Sequence, residues 1–155
     1  MKVFLIILAL LLAVILQTTL LPSLTILGVA PNLVLVLLLV LVIFKGFRKI
    51  WLGIVLVGLF LDFFSGLPFG LISLALVATV YLIDWFNKNF FSAIKFWIVA
   101  SSIVLGTLIY NLFLVSLTKL FQIDLIIGFK YLFLETVYNL LITVIFFYAL
   151  KRNFE

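Results

Sequence analysis

Between Lys2 and Lys45 the chain carries no charged side chain, and apolar residues resume directly after the basic cluster Lys45-Gly46-Phe47-Arg48-Lys49. An apolar stretch of that length is far longer than the one-sided pattern of a surface helix. Its backbone polar groups can be satisfied in lipid only if the chain crosses as helices. The remainder follows suit. Hydrophobic residues make up 68% of the sequence and charged ones only 10%, against about 25% in an ordinary soluble domain. So few polar groups cannot cover a water-exposed surface, which excludes a water-soluble enzyme or regulator.

A crossing helix needs about 20 residues, so six crossings consume roughly 120 and leave no room for a soluble domain. The apolar runs predict spans at about 3–21, 31–44, 50–64, 68–83, 96–117 and 131–150 of one membrane domain covering 1–155. The second run extends either from Leu24 with a break at Pro31, or from Pro31 itself. Proline is comfortable in a first helical turn, which favours the shorter form with irregular backbone at Gly28–Ala30. Ile50 to Ile83 is too long for one span and reads as two short helices, about 15 residues each, around a Ser65–Gly70 turn. Asp84–Lys95 reads as a polar, aromatic-rich connection. Thr118–Lys130 reads as a linker along the interface or a mixture of helix and loop. The expected fold class is an all-α membrane protein, a six-transmembrane helix bundle.

Charge sets the orientation. With both termini cytoplasmic, eight basic residues (Lys2, Lys45, Arg48, Lys49, Lys88, Lys95, Lys151, Arg152) lie inside and two, Lys119 and Lys130, lie outside. That is the positive-inside pattern. The net charge of +5 then reflects topology and attraction to anionic membrane lipids, with no nucleic acid required. Trp51, Trp85, Phe90, Phe91 and Trp97 fall near the inner ends, as belt aromatics do. The first span lacks a clean small-x-small cleavage site, and Gln17-Thr18-Thr19 before Pro22 suits a retained helix.

Polar side chains within spans are costly and call for a reason. Asp62 falls towards the outer end of the third span. Glu135 and Asn139, four residues apart, share a face of the last. Asn111 falls in the outer half of the fifth, and Gln17 near the outer end of the first. The predicted topology therefore gathers them in the outer half of the bilayer, as interhelical glue or as a polar pocket or partner-binding surface. Glue is the simpler reading for Asn111, Thr18 and Thr19. Glu135 is expected to pair with Lys130, and Asp84 with Lys88 one turn away. Asp62 is expected to act as a hydrogen-bond acceptor at a helix end, with Gly66, Pro68 and Gly70 setting the turn. Helix-packing positions are Ala9 and Ala13, Gly53 and Gly58, and Ser102 and Gly106.

The chain contains no His and no Cys. Imidazole bases, thiol nucleophiles and most zinc or haem sites are therefore absent. No Gly-rich phosphate loop occurs, and no lysine lies within a span to activate a serine. Catalytic residues, metals and cofactors are thus expected to be none, and an intramembrane enzyme is the least favoured class.

The stretch Gly58-Leu-Phe-Leu-Asp62-Phe-Phe-Ser65-Gly66-Leu-Pro68-Phe-Gly70 resembles the central motif of the MreD family, bacterial rod-shape-determining membrane proteins. Gln17-Thr18-Thr19-Leu20-Leu21-Pro22 looks like that family's first helix end. Gly28-Val29-Ala30-Pro31-Asn32 looks like its approach to the second helix, where the family more often carries Asp in place of Asn32. The motifs cover mainly residues 17–70; the second half matches as hydrophobic spans. The resemblance implies a bundle like the S component of energy-coupling-factor transporters. It also implies a non-enzymatic scaffold that binds MreC, a single-span protein with an extracytoplasmic domain. RodA, a class B penicillin-binding protein and MreB belong to the same cell-elongation complex, in the bacterial cytoplasmic membrane. The alternative is a solute-binding S component of a vitamin or metal transporter.

Overall fold

The computed structural model describes all residues except Met1, Leu24, Ile26, Ser92, Ala93 and Glu155, and leaves aside the side chains of residues 2–5, 7, 153 and 154. Six α-helices follow one another: α1 (Lys2–Ile15), α2 (Leu33–Lys45), α3 (Phe47–Ser65), α4 (Leu71–Phe90), α5 (Phe96–Leu120) and α6 (Phe129–Phe154). α1 continues through a wide π turn, Leu16–Leu20, and a tight turn, Leu21–Ser23. α4, α5 and the Phe129–Arg152 part of α6 are long and apolar enough to cross a membrane.

The arrangement is organised around α2. Its sequence, LVLVLLLVLVIFK, is apolar all round, which is the pattern of a helix enclosed on every side. From Val34 to Val42 no residue exposes more than 3% of its surface. α2 touches each of the other five helices. At 13 residues it is about 20 Å long, short of the roughly 30 Å of a hydrocarbon core. Its first turn therefore begins inside the bundle, flanked by buried residues of its neighbours.

Close approach occurs where small residues permit it. Ser102 and Gly106 of α5 are buried, and a Cβ on Gly106 would collide with the Leu39 side chain of α2. A Cβ on Gly58 would fall 2.6 Å from the backbone Cα of Ser73, so α3 and α4 meet almost backbone to backbone. Gly53 is looser, with the Leu10 side chain at 3.5 Å. The small-residue step of the first helix is split, since Ala13 is buried while Ala9 is exposed.

Helix lengths depart from the sequence expectation. α3 starts at Phe47 rather than Ile50. α4 begins at Leu71, not Pro68, and runs to Phe90, so the expected connection from Asp84 is largely helical. α5 and α6 also outrun their apolar runs. Hydropathy marks where apolar residues stop, whereas a helix can continue with charged heads reaching past its end. Asp84 and Lys88, one turn apart, form an ion pair that supports such an extension. The linker is mixed. Phe121 and Gln122 turn, and residues 123–128 follow without regular structure.

The bundle has two distinct ends. Gly46, Arg48, Lys88 and Phe91 surround a cavity of about 380 Å³ at one of them. Phe44 and Phe96 both pack on Phe147 there, which brings in the late part of α6. The exposed Trp51, Trp85 and Trp97 lie in the helix segments adjoining this basic end. The starts of α2, α4 and α6 lie at the other.

Gly58→Ala is expected to destabilise the protein by about 1–3 kcal/mol through forced overpacking. Gly53→Ala, which meets only an ordinary van der Waals contact, should change stability little. Thermal unfolding of both variants in detergent measures the contrast.

Candidate functional site: the polar end of the bundle

A buried helix start presents backbone N–H groups that no turn of the helix itself satisfies. At α2 three elements answer this. Asn32 is the N-cap, and its Oδ1 accepts from Leu35 N–H at 3.1 Å. Gln17, on the wide turn after α1, accepts from Val34 N–H through Oε1 at 2.8 Å. Asn139 of α6 accepts from the Asn32 backbone N–H through Oδ1 at 2.8 Å.

The same side chains tie α5 to α6. Asn139 Nδ2 donates to Thr107 Oγ1 at 3.0 Å. Asn111 Nδ2 donates to the Thr107 carbonyl at 2.9 Å and to Glu135 Oε2 at 2.8 Å. Asn32, Thr107, Asn111, Glu135 and Asn139 are all buried. Gln17, Asn111, Glu135 and Asn139, which the topology only assigned to one half of the bilayer, thus surround the start of α2 as one connected group.

Two cavities meet at this group. One, of about 160 Å³, lies between Gln17, Pro31, Asn32, Tyr131 and Glu135. The other, of about 320 Å³, is floored by Tyr110, Asn111 and Glu135 and covered by Leu125–Ile127 of the α5–α6 connection. Glu135 is 3% exposed, and no ion pair joins it to Lys130 among the described residues. The expected pairing is replaced by the bond to Asn111, because the side chain turns into the bundle rather than back along its own helix.

Asp62 performs a separate task. Its Oδ1 accepts from Ile72 N–H at 2.8 Å and its Oδ2 from Ser73 N–H at 3.1 Å. These are free amides of the first turn of α4, whose own N-cap, Gly70, has no side chain to offer. A carboxylate from α3 therefore caps α4, where the positive end of the helix dipole favours it. The intervening turn is shaped for this. Gly66 (φ 67°) and Gly70 (φ 100°) take left-handed conformations that a side chain disfavours. Ser65 Oγ donates to the Asp62 carbonyl and accepts from Leu67 N–H. The Pro68 carbonyl accepts from Leu71 N–H.

Thr18 and Thr19 do not act as interhelical glue. Their hydroxyls donate to the Val14 and Ile15 carbonyls of their own helix, the usual back-bonding of threonine in a helix. Sequence reasoning passed over Asn32, Thr107, Tyr110 and Tyr131 as site residues. Asn32 carried a signal, since an Asn directly before a long apolar run is an N-cap pattern. Thr107 lies one turn before Asn111 on the same face. The tyrosines had none.

The described residues contain no cluster of acidic side chains able to hold a metal. Compared with protein-family models, with curated proteins and with solved structures, the chain matches none of them. Fold and site define an all-helical bundle of transmembrane character with a hydrogen-bonded polar end.

Asn139→Ala leaves the Asn32 amide and the Thr107 hydroxyl without their partner and is expected to cost about 1–3 kcal/mol. Thr19→Ala, at an exposed position, should stay within about 0.5 kcal/mol of the parent. Unfolding midpoints of the two variants test the ranking.

Proposed function

We propose that this chain is a six-span scaffold of the MreD type in a bacterial cytoplasmic membrane, with both termini inside. It binds an MreC-like single-span protein within a cell-elongation complex. RodA, a class B penicillin-binding protein and MreB are the further members of that complex, and lateral peptidoglycan synthesis is its output. The protein itself catalyses no reaction.

The observation that carries this reading is the build of Gly58–Gly70, the stretch on which the family resemblance rests. Asp62 is spent on capping α4, Gly58 on the α3–α4 contact, and Gly66 and Gly70 on the turn. Each distinctive residue of the motif serves shape, as suits a protein whose product is a surface. That corner presents Phe63, Phe64 and Phe69, exposed by 78, 66 and 64%, with the Phe64 and Phe69 ring centroids 6.4 and 6.2 Å from that of Phe63. A partner helix docks on such apolar ground by packing, with neighbouring polar groups fixing its register.

The solute-binding alternative draws on the cavities at Glu135. It also needs a small-residue surface on the first helix to meet an energising module, and burial of Ala13 removes half of the Ala9–Ala13 step from that surface.

Co-purification of the tagged full-length chain at native level tests the scaffold reading. Recovery of a single-span protein with an extracytoplasmic domain is expected, and its absence from a stable preparation sinks the proposal. Asp62→Ala should lower that recovery, or the unfolding midpoint, more than Asp84→Ala does. The Asp84–Lys88 pair lies half in solvent and is worth under about 1 kcal/mol.

A further inference from the structure

Among the described residues, Glu135 is the one buried acidic side chain whose position the fold leaves unexplained. Asp62 has two backbone N–H partners and a helix dipole, and Asp84 has Lys88. Glu135 has a single hydrogen bond among the described residues, from Asn111 to Oε2. Among the described residues, no fully buried side-chain polar atom is left without a partner. Its second oxygen, Oε1, therefore faces accessible space, and the space beside it is the pair of cavities that share Glu135, Asn32 and Tyr131.

The walls restrict what can fill that space. Among the described residues, no lysine or arginine lines either cavity, so the carboxylate has no resident counter-ion there. Both amide hydrogens of Asn111 are committed, one to Thr107 and one to Glu135. Its Oδ1 remains to accept. The amide nitrogens of Gln17 and Asn32 and the hydroxyls of Tyr110 and Tyr131 can still donate, but an anion would lie against the Glu135 carboxylate. A cation carrying N–H groups would meet Glu135 Oε1, Asn111 Oδ1 and two aromatic rings, Tyr110 and Tyr131. Carboxylate with aromatic faces is the chemistry that holds organic ammonium ions. The larger cavity, about 320 Å³, is within the range of small-molecule sites.

We propose that the cavities meeting at Glu135 form a binding site for a primary ammonium group, with the Glu135 carboxylate as its counter-ion and Asn111, Tyr110 and Tyr131 around it. The ammonium arrives on a phospholipid headgroup or on a water-soluble amine. Its apolar cover carries Ile126, 90% exposed, where an acyl chain would run. The site stands independently of the scaffold reading, which makes no use of Glu135.

The test is thermal unfolding of the full-length chain in two settings. In non-ionic detergent the probe is ethanolamine, with neutral N-acetylethanolamine as control. In nanodiscs of phosphatidylglycerol the probe is added phosphatidylethanolamine. The parent is expected to gain about 3 °C or more from at least one amine source, and nothing from the acetylated control. Response in nanodiscs alone identifies the lipid headgroup, and response in detergent shows that the soluble amine suffices. Glu135→Gln should abolish the gain. Leu114→Trp, which fills the larger cavity and keeps the carboxylate, should abolish it too and decides the matter if Glu135→Gln does not fold. The proposal is overturned if neither amine source stabilises the parent, if N-acetylethanolamine matches ethanolamine, or if the folded variants respond like the parent.

Discussion

Enclosing α2 is the constraint from which the rest of the structure follows. A short helix surrounded by five others gains from burying every side chain, but it also buries the amides of its first turn. In a bundle interior an unmatched amide costs several kcal/mol, so the surrounding helices must deliver acceptors to that point. Gln17, Asn32 and Asn139 do so from three parts of the chain. Because each bond is directional, they also fix how far α1 and α6 can slide along α2. Apolar packing between leucine-rich surfaces would leave that register poorly defined, since lipid tails are as apolar as the helices.

The α3–α4 corner solves the same problem by another route. Gly58 lets the helices approach so closely that the Asp62 carboxylate, one turn further on, reaches the amides opening α4. Approach and cap depend on each other. A bulkier residue at 58 would push Ser73 away and with it one donor. A neutral apolar residue at 62 would leave two amides bare at the place where the backbones touch. The aromatic side chains beside Asp62 then point outward because the inner face is taken up by backbone contact.

Much of this was legible in the sequence, and the failures have physical causes. Apolar runs located all six helices, and charge clusters located their ends to within a few residues at α2. At α4 the estimate stopped seven residues early because Asp84, Asn87 and Lys88 are polar, although they are helical and hydrogen-bonded. Polar residues in the runs flagged Gln17, Asp62, Asn111, Glu135 and Asn139, since each is expensive in lipid. Periodicity placed Glu135 with Asn139 on one face. It could not say that Asn139 would turn to α2 and Glu135 to a cavity, because side-chain partners across helices depend on register and rotation, which hydropathy does not encode. Tyr110 and Tyr131 were invisible for the same reason.

The polar end holds more polarity than α2 requires. Asn139 alone links α2, α5 and α6, and Gln17 and Asn32 complete the helix start. If register were the sole demand, the position of Glu135 could be filled by leucine and Asn111 by any residue that keeps Thr107 in place. Replacing a buried ionic group by a well-packed apolar one is commonly neutral or stabilising. The carboxylate instead sits at the meeting point of two cavities, with one oxygen free of donors among the described residues. An expensive group that the fold can do without is most economically explained by something outside the fold.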